Sequence, residues 1–274
     1  MGFSGHHARK RFGQHWLRDE SVLQRIVEAA DLHSTDRVLE VGPGRGALTE
    51  RLLAADVGAV HAVELDRDLV AGLKDRFADQ PGFSLHQGDV LEAPLELSDG
   101  RIADKVVANI PYNITGPLLE RLVGRLDRPV DPPYQRLVLL VQKEVAERIR
   151  ARPGHSSFSA LSVRMQLLAR CRSVCPVPPR CFQPPPKVQS EVICLEPLPA
   201  SERLEPALAA RVESLLKQAF LARRKMLRNT LAGVADSERL QALADTAAFS
   251  LQQRPQELAP ATWVALARGL NQVD

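Results

Sequence analysis

Aromatic side chains make up only 4% of the 274 residues. A protein that binds single-stranded nucleic acid by stacking successive bases needs more of them, so that mode is excluded as the principal one. No apolar run approaches the ~18 residues of a membrane-crossing helix, and no membrane partner is expected. The first ten residues are polar and basic, without the apolar stretch of a secretory signal. Four cysteines, Cys171, Cys175, Cys181 and Cys194, form no C-x-x-C pair and have no histidine at ligand spacing, which argues against a metal site. Reduced thiols in a cytoplasmic protein are the expectation. The G-x-G-x-x-G pattern of dinucleotide binders and the phosphate-binding lysine loop are both missing, as are internal repeats and low-complexity tracts.

What is present is ordinary globular composition, 45% hydrophobic with a formal net charge of +3. That length holds one sizeable domain and a small appendage. Asp19 and Ser21 can cap a helix over 22–30, followed by a strand over 37–41 and a helix over 47–54. Strands over 59–63 and 83–87 flank a helix over 68–77. A strand over 105–108, a helix over 116–123, a strand over 136–142 and a helix over 144–150 follow. A helical stretch over 160–169 leads to strands over 172–177 and 191–195. Repeated βα units predict a doubly wound, mostly parallel sheet of the α/β class. Past the proline-marked stretch 196–200 only helical periodicity remains, over 208–220, 225–231, 238–244 and 260–270. The expected division is therefore residues 1–199 and a small helical domain over 200–274.

Strand 37–41 runs into Gly42-Pro43-Gly44-Arg45-Gly46, where missing Cβ atoms let the backbone pass close to a ligand. Glu64 stands at the next strand end, about twenty residues on, where a carboxylate can accept both ribose hydroxyls. Asp89, after the strand over 83–87, is placed to accept from an adenine amine. Glycines, an acid and an acid at three successive strand ends predict an adenosine-containing cofactor. The alternating glycines without a phosphate cradle suit S-adenosylmethionine.

Asn109-Ile110-Pro111-Tyr112 closes the strand over 105–108. The Asn109 carbonyl and a backbone carbonyl near Ile110 or Pro111 can accept both N–H bonds of an exocyclic amine. That draws its lone pair out of ring conjugation toward a methyl donor. Pro111 fixes the turn, and Tyr112 can stack on the base. Positioning and electrostatics then carry the catalysis. Asp131-Pro132-Pro133-Tyr134 spells a related motif, but it precedes a strand where the chemistry needs one that follows, and it reads as a loop.

Lys10-Arg11-Phe12-Gly13-Gln14-His15-Trp16-Leu17, the glycine loop, Asn109-Ile110-Pro111-Tyr112-Asn113 and Gln142-Lys143-Glu144-Val145-Ala146 occur in that order. Phe182-Gln183-Pro184-Pro185-Pro186-Lys187-Val188 and Arg223-Arg224-Lys225 complete the series. Nearly the whole chain resembles the bacterial small-subunit ribosomal RNA adenine N6,N6-dimethyltransferases, class I S-adenosylmethionine-dependent enzymes. The resemblance implies two adjacent adenines of the 3′-terminal hairpin of 16S rRNA as acceptors, in the 30S subunit or a late assembly intermediate, with the protein a monomer. It assigns cofactor contacts to His15, Leu17, Gly42, Glu64, Asp89 and Asn109, to which the loop reading adds Gly44. It also pairs Phe182 with Tyr112 as a base-stacking ring. This chain has His15 and Trp16 where the family usually has asparagine and phenylalanine.

Arg223, Arg224, Lys225 and Arg228, with Arg9, Lys10 and Arg11 in the N-terminal arm, are expected to contact RNA phosphates. A folded RNA with one base extruded suits the composition. Three rival readings remain at this stage: a resistance methylase of 23S rRNA, a non-catalytic assembly factor and a DNA adenine methyltransferase. The N-terminal arm, the Phe182 motif and the basic triplet favour the small-subunit enzyme over the first. An undamaged glycine loop and Asn109 disfavour the second, and the third requires the 131–134 motif.

Overall fold

A computed structural model describes residues 13–96 and 100–270. Contacts divide the chain into two compact units. The first holds the residues up to Leu122, Tyr134–Ala146 and Cys171–Pro197; the second holds Val123–Pro133, Glu147–Arg170 and the chain from Leu198 onward. The C-terminal part of the second unit begins two residues before the division at 199/200 expected from the sequence. Two internal segments join the C-terminal helices, for a physical reason given below.

The elements in chain order begin with β1 (Trp16–Leu17), α1 (Glu20–Ala30), β2 (Arg37–Val41), α2 (Ala47–Ala54), β3 (Ala59–Glu64), α3 (Arg67–Arg76), β4 (Phe83–Gln87) and β5 (Lys105–Asn109). There follow α4 (Thr115–Val123), β6 (Gly124–Arg125), β7 (Arg128–Pro129), β8 (Arg136–Gln142), α5 (Lys143–Arg150), α6 (Ala160–Leu168) and β9 (Ala169–Val177). The last are β10 (Phe182–Gln183), β11 (Ser190–Pro197), α7 (Pro206–Phe220), α8 (Leu227–Thr230), α9 (Ser237–Thr246) and α10 (Pro260–Gly269).

Seven strands form one sheet in the order β4-β3-β2-β5-β8-β11-β9. The pairs β3–β4, β2–β3, β2–β5 and β5–β8 are parallel, while β11 runs antiparallel to β8. The mostly parallel sheet read from the sequence is therefore the one observed. Its central strands are buried on both faces, as their continuous apolar runs require: Val38, Leu39, Val106, Val107 and Leu137 through Leu140 are inaccessible to solvent. Asp19 does cap α1, its carboxylate accepting from Val22 N at 3.1 Å. The helix then turns Val22, Leu23, Ile26, Ala29 and Ala30 inward. Because every strand ends on the same side as its parallel neighbour, the loops after β2, β3, β4 and β5 collect along one edge, where ligands bind in such sheets.

In the second unit α7 buries Ala209, Val212, Leu215, Leu216 and Ala219, a spacing of one helical face. Trp263 of α10 is fully buried, its ring 6.0 Å from Phe220. Arg164 of α6 grips Glu213 of α7 with two hydrogen bonds of 2.8 Å each. These contacts explain why α6 belongs with the C-terminal helices although the chain returns to the sheet after it.

Candidate active site

The glycine loop is built as its sequence suggested. Gly42 and Gly44 have φ of +67° and +61°, left-handed conformations that favour glycine. A Cβ on Gly44 would stand 2.8 Å from Cδ1 of Trp16, so the indole lies directly against the loop. Glu64, at the end of β3, is 6% exposed and bridges two backbone segments. Its Oε2 accepts from Gly44 N at 3.0 Å and its Oε1 from Asp66 N at 2.9 Å. Burial raises the Glu64 pKa, and these two bonds oppose that rise. Asp89 accepts from Leu91 N at 2.9 Å, which fixes its side chain at the turn after β4.

Asn109 closes β5, and its Nδ2 donates to the His15 carbonyl at 2.9 Å. That bond identifies the amide orientation and leaves Oδ1 as the acceptor end. Tyr112 donates to or accepts from Ser190 Oγ, and its ring stacks on His15 with centroids 5.6 Å apart at 28°. Burial raises the Tyr112 pKa against this hydrogen bond, so the phenol stays neutral. His15 is itself tied through Nδ1 to the Pro184 carbonyl at 2.8 Å.

Gly42, Gly44, Glu64, Asp89, Asn109 and Tyr112 all line one cavity of about 300 Å3, as do His15 and Pro111. Small-molecule sites begin at roughly this size, about 300 Å3. A second cavity of about 320 Å3 shares Trp16, Gly42 and Asn109 with the first and is lined by Leu17. The cofactor residues expected from the sequence thus fall on two cavities that meet at Trp16, Gly42 and Asn109.

Phe182 lies away from Tyr112 in this structure. It lines neither cavity and is only 4% exposed, packed in the core cluster with Leu17, Leu23, Ile26 and Val177. The cause is the pairing of β10 with β1, which sets Phe182 opposite Leu17 and turns its ring inward. The stacking pair Tyr112–Phe182 is absent from this structure. Arg9, Lys10 and Arg11 lie outside the described residues. Arg223, Arg224, Lys225 and Arg228 are all exposed in the second unit. The 131–134 motif is a loop before β8, with Tyr134 buried at 3% exposure.

Three contributors went unread. Trp16 borders both cavities with the Arg45 guanidinium 4.0 Å over its ring. Leu65, an apolar side chain 47% exposed, lines the first cavity beside Glu64; its place next to the strand-end acid was the available signal. Glu40, inside β2, is 1% exposed and accepts from Thr49 Oγ1 at 2.7 Å, while its Oε1 has no partner. Burial, assisted by the nearby Glu64, pushes its pKa up to about 8. A single acid in a short apolar strand gave no sign of that.

Adenosine with a short zwitterionic tail matches this chemistry. The left-handed glycines give backbone access, and a buried carboxylate stands at the second strand end with Asp89 at the third. The residues present therefore fit S-adenosylmethionine.

Residues 5–272 match the family model described as "Ribosomal RNA adenine dimethylase". The chain is 91% identical over its full length to all of the "Ribosomal RNA small subunit methyltransferase A" of Synechococcus sp. (strain CC9605). It is 76% identical over 100% of its length to the protein of that name from Prochlorococcus marinus (strain MIT 9313), covering 98% of it. Among solved structures, a dimethyladenosine transferase from Plasmodium falciparum is similar at TM-score 0.76 and 27% identity, covering 92% of this chain and 96% of that one. The 23S rRNA methyltransferase ErmE is similar at TM-score 0.73 and 29% identity, covering 94% and 100%. With a glycine loop, two strand-end acids and Asn109-Ile110-Pro111-Tyr112 around one cavity, the chain belongs to the ribosomal RNA adenine dimethylase family, S-adenosylmethionine-dependent methyltransferases of ribosomal RNA adenine.

Proposed function

We propose that the protein dimethylates the N6 amine of two adjacent adenines in the 3′-terminal hairpin loop of 16S rRNA. It would act as a cytoplasmic monomer on the 30S subunit or a late assembly intermediate. The full-length similarity to small-subunit methyltransferases supports this over a 23S target. The observation that carries the reaction is the hydrogen bond from Asn109 Nδ2 to the His15 carbonyl, which reserves Oδ1 for a donor in the shared cavity wall.

When bound, S-adenosylmethionine supplies an electrophilic methyl group on a sulfonium. Glu64 would accept from the ribose hydroxyls and Asp89 from the adenine amine, while Gly42, Gly44, Leu17 and His15 contact the remainder. Asn109 Oδ1 and a carbonyl of Ile110 or Pro111 would accept the two N–H bonds of the acceptor amine. This holds its lone pair out of the ring plane, and it costs nothing in reorganisation because His15 has already fixed the amide. Tyr112 offers the base one face. His15 stacks against the same ring, and Phe182, which the family resemblance pairs with Tyr112, would be the second ring against the base. Arg223, Arg224, Lys225 and Arg228, with the N-terminal Arg9, Lys10 and Arg11, would hold phosphates of the folded RNA.

Asn109→Ala tests this directly. The side chain ends a strand and contributes little packing, so the fold should persist. Single-turnover methylation with cofactor and 30S both saturating should slow by about a hundredfold, as for loss of one preorganised polar contact. A variant as fast as the parent would remove Asn109 from the acceptor site.

A further inference from the structure

The turn that follows α7 combines two properties that seldom share a surface. Leu221 is 87% exposed, and Met226, five residues later, is 37% exposed. Only Leu65 and Val188 join them as exposed large hydrophobics among the described residues, and Leu65 is accounted for by the cavity it lines. A single exposed leucine is ordinary. Here two exposed apolar side chains bracket Arg223, Arg224 and Lys225, all exposed, with Arg228 next along the chain.

The turn is a fixed one. Lys225 N donates to the Ala222 carbonyl at 2.7 Å, and Arg223 Nη2 reaches the Ser156 carbonyl at 2.8 Å. Leu227 N and Arg228 N donate to the carbonyls of Gln253 and Leu251. Those bonds tie the turn to two neighbouring segments that carry the exposed Arg152, His155 and Arg254. The acid beside them, Glu257, is bound to the backbone N–H of Arg254. Leu221 thus stands exposed at the start of a hydrogen-bonded turn whose later residues, and the segments they bond to, carry exposed cations.

We propose that Leu221 is an apolar wedge for folded RNA. Its side chain enters against an unstacked nucleobase while Arg223, Arg224, Lys225, Arg228, Arg152 and Arg254 hold the phosphates on either side. Charge complementarity selects a polyanion as the occupant, and an RNA with an unstacked base offers both phosphates for the cations and an apolar face to bury the leucine. The wedge rests on the reading of this protein as an RNA methyltransferase, yet it makes a separate demand. Cations contribute affinity that falls with salt, whereas the burial of Leu221 does not depend on salt.

The test compares Leu221→Ala with a variant in which Arg223, Arg224 and Lys225 are neutralised, each binding unmethylated 30S particles over a range of salt. Leu221→Ala should bind roughly tenfold more weakly with the parent's salt slope, as expected for loss of most of a leucine's buried surface. Its thermal midpoint should match the parent's, since the side chain is exposed. Base-directed chemical probing should show a nucleotide whose reactivity changes on binding the parent and reverts with Leu221→Ala. Parental affinity for Leu221→Ala overturns the wedge, and so does weaker binding with base reactivities unchanged, which would place Leu221 against a ribosomal protein. If the triple variant also keeps the parent's slope, the failure lies with the RNA-facing reading of the turn as a whole.

Discussion

The end of β3 and the turn after α7 handle charge in opposite ways. Glu64 is nearly buried, and backbone N–H groups of Gly44 and Asp66 hold both its oxygens in place. Arg223, Arg224 and Lys225 stand in solvent, and Arg223 reaches the Ser156 carbonyl of a neighbouring loop. A buried, oriented charge discriminates by geometry at short range and is little affected by salt. An exposed cluster attracts any polyanion and is strongly screened. The first arrangement suits a small cofactor of fixed shape; the second suits a large, folded RNA whose orientation matters more than its local sequence.

If that contrast is right, damage to one region should leave the other's ligand almost untouched. Glu64→Ala removes a charged acceptor for two hydroxyls, and hydrogen bonds to charged groups are worth roughly 1.5–3 kcal/mol, about ten- to a hundredfold in affinity. Calorimetry with S-adenosylmethionine should show that loss, while 30S binding keeps its salt slope. Unchanged cofactor affinity would take Glu64 out of the site. Neutralising Arg223, Arg224 and Lys225 should do the reverse. About three phosphate contacts disappear, so the slope of log affinity against log salt should fall by roughly 2–3 units, with cofactor affinity preserved. A variant that loses cofactor instead would break the division of labour.

A pH-dependent effect sharpens the comparison within the first region, between its two buried acids. Glu40 has an unpartnered oxygen where Glu64 has none. Its folded pKa of about 8 lies above the ordinary glutamate value of 4.5, so the native state holds this proton more tightly than the unfolded chain. The stability it contributes is present below the unfolded pKa and is lost as pH rises through the folded one. Between those values the loss should be on the order of 1 kcal/mol per pH unit. Glu40→Gln keeps the neutral shape and should flatten that part of the profile in denaturant titrations. An equal decline in parent and variant would mean that Glu40 ionises freely.

The same contrast decides what the sequence could reveal. The places of Glu64, Asp89 and Asn109 were legible because each stands at or just past the C-terminal end of a strand, and parallel strands bring such ends to one edge. Helices α7, α9 and α10 were legible from their periodicity, although only Leu227–Thr230 of the stretch 225–231 is α-helical. The burial of Phe182 was not legible because its direction depends on a two-residue pairing with Trp16–Leu17, more than 160 positions earlier, which no local pattern announces. That two internal segments join the C-terminal unit was hidden for a similar reason. Only long-range contacts such as Arg164 with Glu213 reveal that α6 packs with α7. Glu40 escaped notice because burial depends on what the fold places above it.

The central claim is that the cavity beside Asn109 turns an RNA adenine into a dimethylated one on the small subunit. It is tested most directly by methyl transfer from labelled S-adenosylmethionine to unmethylated 30S particles, followed by nucleoside analysis of the 16S rRNA. The account predicts label in N6,N6-dimethyladenosine at two adjacent positions of the 3′-terminal hairpin. Label confined to another nucleoside, or none in the 16S rRNA while 23S rRNA is methylated, would contradict it.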